Sequence, residues 1–386
     1  MQRRERDKVV RLLLLVMLFG ALLLGSACTD EEEGTDYQGA YEIWALDQGT
    51  HLGYVYDDRF VEVAVIDFEA KGMTVPHMIS FSSDYRYAVV ANMGSGNVGV
   101  LRTADREVVA VLETGPHTHM ASFTPDDSAI LVDVIGHGDH VGEVVEIEVN
   151  LDEETFEMGR RLRLSEDPLL VDRLDEFPNT SPICHEYGAQ GHAFITLGPA
   201  LSAGGLVVLN LETFALERAF SPEELPVNCG TMPNSDRSQM VLTGGSATVG
   251  HFYVIDTETF EIVHDAPSGG LDAHGVWLSP DGSRFFLVNR VSDDGIVIDA
   301  ETFEVLAEFD DLGGTPDILA MDPGGEYLFV SLRGPNPVSA PHVAVGETPG
   351  FSVLDASTLE LLEVIQPARD NPDSDFHGIG VRVIRP

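Results

Sequence analysis

The chain has 386 residues, 44% of them apolar, and carries 64 Asp and Glu against 22 Lys and Arg for a formal net charge of −42. That balance excludes nucleic acid and anionic lipid as partners, because both are bound through Lys and Arg meeting phosphate. Lysine occurs only at Lys8 and Lys71, and an acidic, lysine-poor surface otherwise reads as adaptation to a salty exterior.

In chain order, the first feature is a leader. Arg3, Arg4, Arg6, Lys8 and Arg11 precede an apolar run from Leu12 to Leu24 and then Gly25-Ser26-Ala27-Cys28. This is the pattern of an export signal, and the run is short for a bilayer span. Residues 25–28 resemble a bacterial lipobox, which would make residues 1–28 a signal, Cys28 the lipidated first mature residue and the acidic residues 29–36 a tether. Gly25 stands where such boxes usually carry Leu, so ordinary signal cleavage stays open. The expected location is outside the cytoplasm, with membrane attachment only through a lipid anchor.

From residue 37 to 386 the chain repeats. One unit, apolar-apolar-Asp/Asn-x-x-Thr-apolar-Glu, recurs from Val65, Val100, Val149, Val208, Val254, Val297 and Val353, most clearly as VIDTETFEIV and VIDAETFEVL. Between these copies lies a second unit, HGVWLSPDGSRFFLV from His274, with relatives from His77, His119, Cys229 and Asp317. A degenerate copy starts at Ser181, and half a copy, HGIGVRVIRP from His377, ends the chain. Each repeat holds about four short strands joined by Asp, Gly, Pro and Asn turns. Spacings of 42, 45 and 43 residues between equivalent positions are those of propeller blades. The chain stops after one strand of its last repeat and begins partway through another, so the two ends complete each other and close a ring that leaves no open sheet edge. The expected fold is an all-β seven-bladed propeller, a single domain expected to be monomeric.

The Ser-Pro-Asp-Gly turns, the VIDxxT strands, the export signal and the count of seven resemble the YVTN/YncE-like β-propellers, a group of exported bacterial proteins. The resemblance spans the mature chain and implies the fold; it implies no one activity, since this architecture hosts binders, lactonases, dehydrogenases and scaffolds.

Ten of the 13 histidines map to one face of such a propeller. His77, His117, His119, His274 and His377 come just before or at the start of the innermost strands, whereas His51, His137, His140, His251 and His342 fall in loops of the same face. Rotation about the channel brings equivalent repeat positions together, so His77, His119, His274 and His377 are expected to ring the mouth, with Cys229 and Asp317 at the same repeat position. Neutral imidazoles in a cluster suit copper, zinc or iron. His117 and His119, two apart, share one side of an extended strand and form a candidate ligand pair; His137 and His140 form another. The bland alternative is that such histidines are duplicated turn or cap residues.

Besides Cys28, the chain has only Cys184 and Cys229, which fall on adjacent repeats and are expected to form a disulfide outside the cytoplasm; an oxidised Cys229 would leave the ring. Other catalytic motifs are absent: there is no Gly-x-Ser-x-Gly, no phosphate loop and no Cys-x-x-Cys. Three functions remain: a module binding a transition metal or small ligand at the channel mouth, a metal-dependent oxidoreductase or lactonase-like hydrolase on the same face, or a scaffold for a cell-envelope protein.

Overall fold

The computed structural model describes residues 40–137, 141–341 and 343–384. Seven four-stranded antiparallel sheets are arranged as the blades of a propeller. Blades 1 to 6 span residues 76–113, 118–163, 182–220, 231–267, 273–309 and 316–365. Blade 7 joins the two ends: Phe376–Val383 is its innermost strand and Tyr41–Asp47, Leu52–Asp57 and Glu62–Asp67 complete it. The closing ladder runs from Tyr41 opposite Val383 to Asp47 opposite Phe376. The leader, Cys28, the tether, His140 and His342 lie outside the described residues.

The recurrent motifs act through their turns. In the VIDxxT unit the aspartate caps the turn with its side chain: Oδ1 of Asp256 accepts from the amides of Glu258 (3.0 Å) and Thr259 (2.8 Å). Asp299 does the same for Glu301 and Thr302. Asp is favoured there because its short carboxylate reaches its own backbone two and three residues on. In the Ser-Pro-Asp-Gly turn, Gly282 adopts a left-handed φ of 73°, a conformation that glycine reaches without steric cost.

Middle strands are buried on both faces, as Tyr87–Asn92 and Ala129–Val134 show, which accounts for their nearly unbroken apolar runs. Their side chains pack blade against blade. Phe329 and Phe351 of blade 6, for example, meet Tyr41, Tyr56 and Phe376 of blade 7 in one cluster. Burying each such ring contributes about 1.5–3 kcal/mol, and closure makes that gain available to all seven blades.

One backbone irregularity positions the functional side chains. The innermost strand of most blades slips register near its start: between Pro76 and Met78, Thr118 and Met120, Ala273 and Val276, and Pro316 and Leu319. His77, His119, His274 and Asp317 are the residues at these slips. A bulge re-aims a side chain that regular pairing would direct elsewhere, and here it turns the repeat position toward the channel.

Candidate functional site at the channel mouth

Four imidazoles meet at the axis. The His77 ring stacks on His377 with centroids 3.8 Å apart and meets His119 edge-on at 4.3 Å. His274 lies edge-on to His377 at 5.9 Å. The sequence expectation that these four would converge therefore holds in position.

Each ring is held from behind through Nδ1. His77 donates to Oε1 of Gln48 (2.8 Å) and His119 to the carbonyl of Ile183 (2.8 Å). His377 donates to one oxygen of the Asp317 carboxylate at 2.6 Å, and His274 Nδ1 pairs with the other oxygen at 2.9 Å while donating to the Asp317 carbonyl at 3.4 Å. The Gln48 orientation is set by its own amide group, which donates to Asp375 at 2.8 Å. With Nδ1 carrying the proton, His77 and His119 present bare Nε2 lone pairs, and those two atoms face each other 3.0 Å apart. Burial pushes His77 well below the usual histidine range and His119 down to about 3, so both rings are neutral. His274 differs: burial opposes its charge, but Cys229 and Asp317 beside it lift it to about 9.

Asp317 is the hub of this support rather than part of the ring. It is fully buried and also accepts from Arg333 at 2.9 Å and from Arg290 at 3.4 Å. Arg290 pairs with Asp272 at 2.8 Å, and Arg333 clamps Asp375 through two nitrogens at 2.8 and 2.9 Å. Burial alone would raise the Asp317 carboxyl; His377, His274 and the two guanidiniums hold it well below the usual range. Sequence reading missed Gln48, Asp272, Arg290, Arg333 and Asp375. A signal existed: Asp-x-His recurs at Asp272 and His274 and at Asp375 and His377, and an Arg follows the second strand in blades 5 and 6.

Several expectations need correction. His117 is not beside His119 on a strand face, because it takes a left-handed φ of 56°, as do Val75, Asp272 and Thr315 at the same repeat position. It is the turn residue into the strand, and its ring meets His137 at 5.2 Å on the rim. Cys184 and Cys229 are both buried and free. They hold different repeat positions, Cys229 that of the ring and Cys184 that of Met78 and Met120, and the expected disulfide is not formed. In blade 3, whose repeat is degenerate in sequence, the ring position falls to Ile183, and its two histidines lie elsewhere. His192 pairs with Glu217 at 2.8 Å. His185 sits fully buried in a chain in which Nδ1 donates to Asp133 (2.7 Å) and Nε2 lies 2.7 Å from Oγ of Ser122. That Ser-His-Asp order has nucleophile geometry, but Ser122 is buried and lines neither chamber of the channel; the chain ties blade 2 to blade 3.

Above the imidazoles opens a chamber of about 890 Å³, lined by His77, His119, His274, His377, His117 and Arg290 among others. Among the described residues, no three His, Cys, Asp or Glu side chains form a ready metal cage. What the site offers is one facing pair of imidazole nitrogens. Two nitrogens 3.0 Å apart, each about 2.0–2.1 Å from a common ion, subtend roughly 90–100° at it.

Fold and site together define a seven-bladed β-propeller with a histidine-lined channel mouth. The comparisons agree on the fold. A functionally unknown protein from Desulfotomaculum acetoxidans superposes with a TM-score of 0.65 at 13% identity, covering 90% of this chain and 99% of that one. The dihydro-heme d1 dehydrogenase NirN in complex with DHE gives 0.55 at 14% identity, over 88% and 74% of the two chains. Kuenenia stuttgartiensis hydrazine synthase gives 0.55 at 12% identity, over 79% and 86%. No family model matches the chain, and no curated protein matches it.

Proposed function

We propose that the protein is a binding module that takes a transition-metal ion at the channel mouth between His77 and His119. The observation that carries this reading is the pair of Nε2 atoms facing each other at 3.0 Å with both Nδ1 atoms committed to acceptors. Metal-ligating histidines are oriented in this way, with the far nitrogen donating to a carbonyl or carboxylate behind. Neutral imidazoles suit copper, zinc or iron. An ion held by two protein ligands keeps open positions toward the upper chamber, where a small ligand completes its coordination. A metal-dependent oxidoreductase or lactonase-like hydrolase would use the same open positions; turnover of redox dyes or lactones by the loaded protein separates that enzyme from a binder.

The setting we propose is extracytoplasmic, in a YVTN/YncE-like propeller exported by residues 1–28 and tethered through Cys28. The basic start, apolar run and small residues before Cys28 support it. The test of the site is titration of tag-free, metal-stripped protein with Cu(II), Zn(II) and Fe(II). We expect near-stoichiometric uptake of at least one ion, weakened by about tenfold or more in His77→Ala and His119→Ala and unchanged in His264→Ala on the outer strand of blade 4. Absence of uptake, or uptake indifferent to the first two substitutions, overturns the reading.

A further inference from the structure

The opposite half of the channel is a second chamber with different chemistry. His274 lines both, so the imidazole layer divides the channel. The lower chamber has a volume of about 310 Å³, at the small end for ligand pockets. Its wall includes Trp277, Phe81, Met78, Met120 and Met232, and a single carboxylate, Glu186; neither Lys nor Arg lines it.

Glu186 is the anomaly. It occupies the repeat position that Ser80 and Trp277 hold in blades 1 and 5, facing the channel. Its carboxylate accepts one hydrogen bond, from the neighbouring Tyr187 amide at 3.2 Å. Burial pushes its carboxyl up, with His185 and Arg237 pulling the other way. Arg237 makes no hydrogen bond to it and reaches instead toward the Tyr187 carbonyl at 3.4 Å. Glu186 is half-buried, and its carboxylate, with four lone-pair sites and one protein donor, faces a chamber walled largely by thioethers and aromatic rings in which no described Lys or Arg side chain pairs with it.

We propose that the lower chamber binds a small organic cation, a quaternary or alkylated ammonium, with its charge against Glu186 and its alkyl groups on Trp277, Phe81 and the methionines. Ammonium carbons pack on aromatic faces and thioethers while the charge is attracted to the ring quadrupole. The strongly acidic molecule raises the local concentration of any cation. A hydrated inorganic cation fits less well, because the apolar wall offers it few oxygens in place of its water. This site stands apart from the imidazole pair and does not rest on the metal reading.

The test is titration of the full mature protein with choline and with its uncharged isostere 3,3-dimethylbutan-1-ol, followed by calorimetry and tryptophan fluorescence. Of the two tryptophans, Trp277 lines the chamber and Trp44 is buried at 1% exposure. We expect saturable choline binding with a fluorescence change, weaker by about tenfold or more for the isostere and for Glu186→Gln. Trp277→Leu, read by calorimetry, should weaken choline as well. Thermal unfolding of both variants reports that they are folded. Binding of the isostere equal to that of choline, binding unaffected by Glu186→Gln in folded protein, or no saturation with choline overturns the proposal.

Discussion

Asp317 shows how one buried carboxylate can organise a site without being its ligand. It orients His274 and His377 and neutralises part of two buried guanidiniums. Removing one member of such a group leaves uncompensated charge in the interior, which costs about 3–5 kcal/mol. Asp317→Asn is therefore expected to lower the denaturant midpoint by that equivalent, and a loss below about 1 kcal/mol would contradict the hub role. The hub could be read from sequence only in part. Alignment of repeats placed Asp317 at the ring position, but that position does not reveal its pairing with Arg333 at the end of the second strand of its own blade, and its contacts with Arg290, His274 and His377 come from the neighbouring blades 5 and 7. The same holds for Cys229, whose repeat position is legible while its chemistry depends on what blade 5 brings beside it; in blade 3 the repeat is too degenerate for the sequence to assign Ile183 to the ring.

Among the strands, the closing one of blade 7 carries the most topological weight. Phe376–Val383 pairs with Tyr41–Asp47 from the other end of the chain, packs Phe376 and Ile379 into the cluster shared with blade 6, and presents His377. Deleting residues 376–386 removes the ladder and bares the edges of blade 7, and unpaired edges recruit other chains. We expect the truncated protein to lose cooperative unfolding and to aggregate on size exclusion; a monomer with an intact transition would refute this account of closure. The half repeat at one end and the missing inner strand at the other made closure legible. The register slips at Pro76, Thr118, Ala273 and Pro316 were not, because a bulge leaves no mark in the alternation of a six-residue strand whose two faces are both buried.

Taken whole, the molecule is a ring with a formal charge of −42, and its compact form is opposed by self-repulsion. Salt screens exposed charges over about 10 Å at 0.1 M and about 3 Å at 1 M. Raising NaCl from 10 mM to 1 M is expected to increase the unfolding temperature by several degrees, at about 2 °C for each kcal/mol of relieved repulsion in a chain of this size. A flat or falling curve would mean that the carboxylates are already compensated within the fold.

The propeller, its seven blades, the shared blade and the four histidines at one repeat position are properties of a repeating chain. Periodicity, turn chemistry and rotational symmetry act through residue types alone, so they can be read without coordinates. Which of those residues touch is another matter. The facing of His77 and His119, the commitment of His274 to Asp317, the displacement of His117 to the rim and the unbonded state of the two thiols depend on bulges, left-handed turn residues and contacts between blades. Those are set by packing across the ring, where residues far apart in sequence first share a surface.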